Sequence, residues 1–254
     1  MNKIIVITGA TSGIGKACAE KFASAGSNDL IIIGRRRERL EILKNELEEK
    51  YPIKILAITL DVQDKEAVFA AFNNLPEEWH SIDILINNAG LALGRDFFDE
   101  ANMNDWETML NTNVHGLLYV SRAILPFMAT RKKGHIINIS STAGKNVYEK
   151  GNIYCASKHA VAAISQSMRI DLLRHNIKVT AIFPGAVRSE FSLVRFKGDN
   201  SKAEDVYIGI TPLTPSDVAE NIFYCASQPA HVCINELVIT CTQQADSFYL
   251  FKNQ

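Results

Sequence analysis

Short apolar runs rich in isoleucine recur along this chain at residues 4–7, 30–33, 53–60, 82–86, 135–139, 177–183 and 236–240. Between them lie longer stretches of helical composition at 36–50, 65–74, 106–130, 154–174 and 216–226. Continuous apolar runs of this length mark parallel strands buried on both faces, since helices must cover both sides of such a sheet. Strand–helix alternation implies crossover connections, which are right-handed and wind helices onto both faces. The expected fold is α/β, a doubly wound parallel sheet of about seven strands flanked by helices. A chain of 254 residues, 47% of them hydrophobic, can bury one large core, and no repeat or linker divides it. Residues 1–254 therefore read as a single domain. The one long irregular stretch, 187–214, has the length of a functional lid or of a surface insertion.

The first apolar run is followed by Thr8-Gly9-Ala10-Thr11-Ser12-Gly13-Ile14-Gly15 and then by a helical stretch. Strand, glycine-rich turn and helix form the Rossmann-like arrangement in which a pyrophosphate rests on the helix N-terminus. The spacing here is G-x-x-x-G-x-G, not the commoner G-x-G-x-x-G, so the turn alone is weak evidence. At the end of the second strand, where an acid would bind the ribose of NAD, the chain reads Gly34-Arg35-Arg36. That substitution favours NADP, with Arg35 pairing the 2′-phosphate and Arg36 stacking on adenine. Both arginines also suit a plain helix start.

Tyr154 and Lys158 lie four residues apart, so on a helix they leave the same face one turn apart. A phenol has an ordinary pKa of about 10, and an ammonium about 4 Å away favours the phenolate by roughly 4 kcal/mol before desolvation. The pair can thus make a proton-transfer tyrosine, although surface pairs of this spacing are common. Ser140 and Ser141 end the apolar run at 135–139, thirteen residues before Tyr154 in the case of Ser141. A hydroxyl at a strand's carboxyl end can stabilise a carbonyl oxygen as charge builds on it. It can equally cap the next element.

The formal net charge is −1, which gives no polyanion-binding surface, and nucleic acid is not an expected partner. The basic cluster around Arg35, Arg36, Arg37 and Arg39 is followed at once by Glu38, Glu41, Glu46, Glu48 and Glu49, as on a solvated helix face. Five cysteines without C-x-x-C spacing argue against both a disulfide framework and a zinc site, and the scattered histidines offer no metal. No signal-peptide pattern and no apolar run of about 20 residues is present, so no membrane and a cytoplasmic location are expected.

Taken in order, the glycine turn, Asn87-Asn88-Ala89-Gly90, Asn113-Val114-His115-Gly116, Ser141, Tyr154-Cys155-Ala156-Ser157-Lys158 and Pro184-Gly185 resemble the short-chain dehydrogenase/reductase family over essentially the whole chain. The resemblance implies an enzyme that moves a hydride between NADP and a CH–OH group. It implies catalytic roles for Tyr154 as acid/base, Lys158 as its partner and ribose ligand, Ser141 on the substrate oxygen, and Asn113 holding a relay water. It further implies a cofactor site made of Gly9, Thr11, Ser12, Gly13, Ile14, Gly15, Arg35, Arg36, Asp61, Val62, Asn88, Ala89, Gly90, Tyr154, Lys158, Pro184, Gly185 and Val187. Asp61 and Val62 would contact adenine, and the backbone at Val187 would meet the nicotinamide amide. A homotetramer is also implied, with helices 106–130 and 154–174 in one interface and the tail 240–254 in another.

Within the family, residues 88–94, 190–199 and 229–235 resemble the NADP-dependent 3-hydroxy acid dehydrogenases that oxidise serine and allo-threonine. A small hydroxy acid, or its oxo acid, is the substrate this implies. Alternatives are an NADPH-dependent reductase of another carbonyl, such as a ketoacyl thioester, and a nonenzymatic NADP-binding protein. A carboxylate substrate calls for a cation, and Arg195, Lys197, Arg188 and Arg95 are the candidates, Arg195 first among them because it falls in the lid. The run Arg188-Ser189-Glu190-Phe191 is shorter than in the proteins it resembles, which leaves the register of that lid open.

Overall fold

The computed structural model describes residues 2–252, built around a seven-stranded sheet in which every neighbouring pair is parallel. The strands are β1 (Lys3–Thr8), β2 (Asn28–Gly34), β3 (Ile55–Thr59), β4 (Ile82–Asn87), β5 (Gly134–Ile139), β6 (Ile177–Pro184) and β7 (Glu236–Ile239). Their spatial order is β3-β2-β1-β4-β5-β6-β7, so the winding reverses between β1 and β4. Such a reversal opens a crevice at the strands' carboxyl ends. The helices are α1 (Gly13–Ser24), α2 (Arg37–Lys50), α3 (Lys65–Asn73), α4 (Met103–Leu110), α5 (Leu117–Arg131), α6 (Asn152–Asp171), α7 (Glu190–Arg195), α8 (Asn200–Asp205) and α9 (Pro215–Ser227).

The isoleucine runs are apolar throughout because each face of the sheet has its own core. Ile5, Ile7, Leu30 and Ile32 pack with Phe22 of α1, Leu43 of α2 and Ile222 of α9. The alternate residues Ile4, Val6, Ile31 and Ile33 pack with Phe72 of α3 and Ile124 of α5. Full burial of each such side chain contributes about 1.5–3 kcal/mol, and a polar residue on either face would forfeit it. This two-sided demand turns period-2 alternation into a continuous apolar run.

The expected helix at 106–130 is in fact three pieces: α4, a π-helical turn at Asn111–Gly116, and α5. It starts early because the Asn102 side chain accepts the N–H of Asn104 at 2.8 Å. At the π turn the backbone of Gly116 lies against Val62, where a Cβ would collide with that side chain. A single π turn leaves no periodic signal. The expected helix at 154–174 runs instead from Asn152 to Asp171, then tightens into a 3-10 turn at Leu173–His175 that Asn176 ends at φ +53. Nor is 187–214 irregular throughout, since it holds α7 and α8. Ser189 caps α7 by accepting the Phe191 N–H at 3.3 Å, and Asp199 caps α8 through the Lys202 N–H at 3.1 Å. The last two residues of the tail assigned to a subunit interface lie outside the described residues.

Candidate active site

The turn after β1 closes because Gly9 and Gly13 adopt φ of +67° and +54°, a region costly for residues with a Cβ. At Gly15 a Cβ would run into the Gly9 carbonyl and the Asn88 side chain. The Asn88 amide donates to the carbonyls of Thr8 at 2.9 Å and Gly9 at 3.2 Å, and Thr8 Oγ1 accepts the N–H groups of Asn88 and Ala89. The segments after β1 and β4 are thereby laced together over the switch point. Ser12 opens α1 without a capping hydrogen bond, so the N–H groups of the first turn stay available to an anion.

A cavity of about 340 Å³ lies over these carboxyl ends. Gly9, Thr11, Ser12, Gly13, Ile14, Arg35, Arg36, Asp61, Val62, Asn88, Ala89, Gly90, Ser141, Tyr154, Lys158, Pro184, Gly185 and Val187 all line it. Gly15 and Asn113 do not; they stand behind its wall. Both N–H donors of the Asn113 amide are committed, to the Leu91 carbonyl at 2.8 Å and Ser157 Oγ at 3.0 Å, and its Oδ1 accepts the Leu91 N–H at 2.8 Å. The side chain therefore clamps the segment after β4.

Helix α6 sets Tyr154 and Lys158 on one face. Lys158 Nζ donates to the Ile139 carbonyl at 3.0 Å and lies 5.9 Å from the centre of the Tyr154 ring. Burial holds the Tyr154 phenol above its ordinary pKa of 10, with Tyr148 adding to the effect, while Ser141 and the Arg195 guanidinium pull it down. Desolvation thus outweighs the charges around it. Burial also lowers Lys158 to about 8, so it stays mostly charged at neutral pH and loses its charge just above it. Ser141, at the end of β5, accepts the Ala143 N–H at 3.1 Å and interacts with the Tyr154 phenol.

The four basic candidates separate clearly. Lys197 pairs with Asp105 at 2.7 Å, and Arg188 pairs with Glu204 at 3.3 Å. Arg195 and Arg95 pair with no carboxylate among the described residues. Arg195 donates from Nε to the Gly94 carbonyl at 3.2 Å, and its guanidinium stands 5.5 Å from the Tyr154 ring and 5.7 Å from the Tyr148 ring. Arg95 lies 5.8 Å from Tyr148 on the opposite approach.

At the other end of the cavity Arg35 is 60% exposed, and its one ion pair, to Asp61, is long at 3.5 Å. Arg36 is tied to the glycine turn and to α7. It donates to Thr11 Oγ1, Ser12 Oγ and the Glu190 carboxylate, all within 3.0 Å. An open arginine beside a glycine cradle fits an adenine dinucleotide bearing a 2′-phosphate.

Tyr148, Glu190, Phe191 and Val194 belong to this neighbourhood but were not found from the sequence. Phe191 packs 5.7 Å from the Tyr154 ring. Only Ser189, an N-cap residue ahead of an acid, signalled that a helix begins there. Among the described residues, no three His, Cys, Asp or Glu side chains gather as a metal site.

Sequence and structure comparisons agree with this arrangement. The short chain dehydrogenase profile matches residues 3–199, and the chain belongs to that family. The NADP-dependent 3-hydroxy acid dehydrogenase YdfG of Salmonella typhi is 47% identical over 233 residues, covering 91% of this chain and 92% of that one. The sulfoacetaldehyde reductase of Chromohalobacter salexigens is 44% identical over 250 residues, 98% of each chain. A structure described as the closed form of serine dehydrogenase complexed with NADP+ superposes with a TM-score of 0.91 at 45% identity, covering 99% of this chain and 100% of that one.

Proposed function

We propose that this protein is an NADP-dependent dehydrogenase of small 3-hydroxy acids of the serine, allo-threonine and 3-hydroxyisobutyrate type. The observation that carries the reading is the unpaired Arg195 guanidinium 5.5 Å from Tyr154: an anion anchor set beside a proton-transfer group. Full-length relatives named for 3-hydroxy acid and sulfoacetaldehyde chemistry support a small anionic substrate. The whole chain reads as one cofactor-binding domain with 187–214 as its lid.

When bound, NADP supplies the nicotinamide that accepts or returns the hydride. The chain's own residues do the rest. Ser141 hydrogen-bonds the substrate oxygen, and Tyr154 takes or gives that oxygen's proton. A buried phenol with a raised pKa rests protonated at neutral pH, so the site idles as a proton donor and works as a base more readily as pH rises. Lys158, while charged, favours the phenolate, and the backbone around Pro184, Gly185 and Val187 closes the nicotinamide end. Arg195 pairs with the substrate carboxylate through charge-assisted hydrogen bonds and so sets the carbinol carbon against Ser141 and Tyr154.

We also infer a homotetramer. Ile170 on α6 is 71% exposed, Leu173 beyond it 72%, and Leu110 and Leu118 are open on α4 and α5. Val238 on the edge strand β7 lies exposed, as do Phe248, Tyr249 and Phe251 of the tail. Apolar groups gathered this way mark contact surfaces. All five cysteines are free, which fits a reducing compartment such as the cytoplasm, and no described helix is long and apolar enough to cross a membrane.

Initial rates of NADPH formation across serine, allo-threonine, 3-hydroxyisobutyrate, 3-hydroxypropionate and 2-hydroxyethanesulfonate, with bulky neutral alcohols beside them, test the substrate reading. Small acids should lead in kcat/KM. A lead for bulky neutral alcohols would refute it.

A further inference from the structure

Glu190 opens α7, at the rim of the cavity far along the chain from the arginines that follow β2, yet it is held by two of them. Arg36 donates to one of its carboxylate oxygens at 2.9 Å, and Arg39 donates to both, at 2.8 and 3.0 Å. Counting its bonds to Thr11 and Ser12, Arg36 has four of its five N–H donors satisfied by the protein itself. It therefore has no pair of donors to offer a phosphate unless it releases Glu190 or the glycine turn. All three side chains are close to half exposed, and exposed ion pairs are readily exchanged.

The same short helix also carries part of the catalytic neighbourhood, at both of its ends. Phe191 packs on Tyr154, and Arg195, the last residue of α7, stands over the Tyr154 ring. Six helical residues span only about 9 Å. Whatever releases Glu190 acts within one helix length of the substrate anchor.

We propose that Glu190 stands in for the cofactor's 2′-phosphate: it occupies Arg36 and Arg39 in the free protein, and a 2′-phosphorylated nucleotide displaces it. The phosphate that distinguishes NADP from NAD thereby also unlatches the N-terminal end of α7. The physical basis is competition between like charges for the Arg36 guanidinium, which Glu190 holds together with Arg39. A phosphate monoester carries close to two negative charges at neutral pH and three acceptor oxygens, against one charge and two oxygens for the carboxylate. Once it is seated between Arg35 and Arg36, Glu190 is both outbid and repelled.

This inference rests on the NADP reading, and half-cofactors separate the two without turnover. Calorimetry with adenosine 2′,5′-bisphosphate and adenosine 5′-monophosphate measures the preference for the 2′-phosphate directly. Hydrogen exchange of the backbone amides of α7 then reports the latch. In wild type the bisphosphate should bind more tightly than the monophosphate, and it alone should speed exchange in α7. In Glu190→Gln the preference for the bisphosphate should grow by up to about fivefold, as one exposed competing charge is removed. Exchange in α7 should already be fast in that variant and should respond to neither nucleotide. An unchanged or smaller preference in Glu190→Gln would overturn the proposal, because Glu190 would then be holding the arginines ready for phosphate. Slower α7 exchange on binding the bisphosphate would overturn it equally. No preference in wild type would refute the 2′-phosphate site and the latch together.

Discussion

Replacing Arg195 by alanine isolates the substrate anchor. In the structure this guanidinium donates to the Gly94 carbonyl and stands over the Tyr148 and Tyr154 rings, but it has no carboxylate partner among the described residues, so its loss strands no buried ion. What disappears is the charge-assisted pairing to the substrate, worth about 1.5–3 kcal/mol, which is roughly one to two decades in kcat/KM. The assay compares two substrates with the same three-carbon skeleton, 3-hydroxypropionate and 1,3-propanediol. In wild type the acid should lead; in Arg195→Ala its kcat/KM should fall by about 10- to 100-fold while that of the diol changes by less than about threefold. Arg188→Ala, which removes a cation already paired with Glu204, should leave the ratio of the two substrates unchanged. If Arg195→Ala lowers both substrates equally, the guanidinium is shaping Tyr148 and Tyr154 instead of reading a charge. The anchor would then have to be sought at Arg95, the other cation free of a carboxylate.

Tyr154→Phe should cut kcat at least 1000-fold, on the order expected for losing a general acid/base, while NADPH titrated by its fluorescence still binds; retention of a tenth of the activity would assign the proton to another group. Arg35→Ala should weaken NADP by about one to two decades with little effect on NAD, and equal losses would show that it does not read the 2′-phosphate. His135, on β5, is buried with its pKa held down to about 3 by burial and by Lys178 and Lys3. Its folded pKa lies below the unfolded value of about 6.5, so the stability it contributes is complete above that pH and is lost as pH falls toward 3. Between pH 7.5 and 5 that loss is about 2 kcal/mol, and urea melts of His135→Gln should show a decline smaller by that amount; parallel declines would exclude the histidine. Light scattering at micromolar concentration should return four times the 28.2 kDa chain mass, and a monomer would refute the proposed interfaces.

Much of the fold was legible along the chain because a sheet buried on both faces leaves its mark residue by residue. In the middle of β1 and β2, at residues 4–7 and 30–33, every position must be apolar, and the flanking helices have to alternate with them in order. The observed strands and the helices α2, α3 and α9 accordingly lie within two residues of their expected ranges. The glycine turn was legible for a similar local reason: backbone at positive φ, or pressed against a neighbouring carbonyl, excludes a Cβ. So were Ser141, Tyr154 and Lys158, whose places follow from a strand end and one turn of helix. The π turn at Asn111–Gly116 was not, since a single wide turn has no period. Nor were the two helices of 187–214 until their caps were seen in place.

What each site residue is bonded to was decided only in three dimensions. Helical spacing put Lys158 beside Tyr154, but only the folded chain adds the Ile139 carbonyl that accepts a hydrogen bond from the ammonium and the burial that raises the phenol pKa. Four cations stood as candidates for a substrate anchor, Arg195 first among them, until Asp105 and Glu204 were found to hold two of the others. Glu190 is 154 residues from Arg36, and nothing in either neighbourhood announces the other. The sequence by itself determined where the backbone must turn, where it must be apolar and which residue types stand at the strand ends, because those demands are met by each residue in its own place. Only the tertiary structure decided which charges are spent on partners and which remain for a ligand, because burial and ion pairing depend on groups that the chain brings together from a distance.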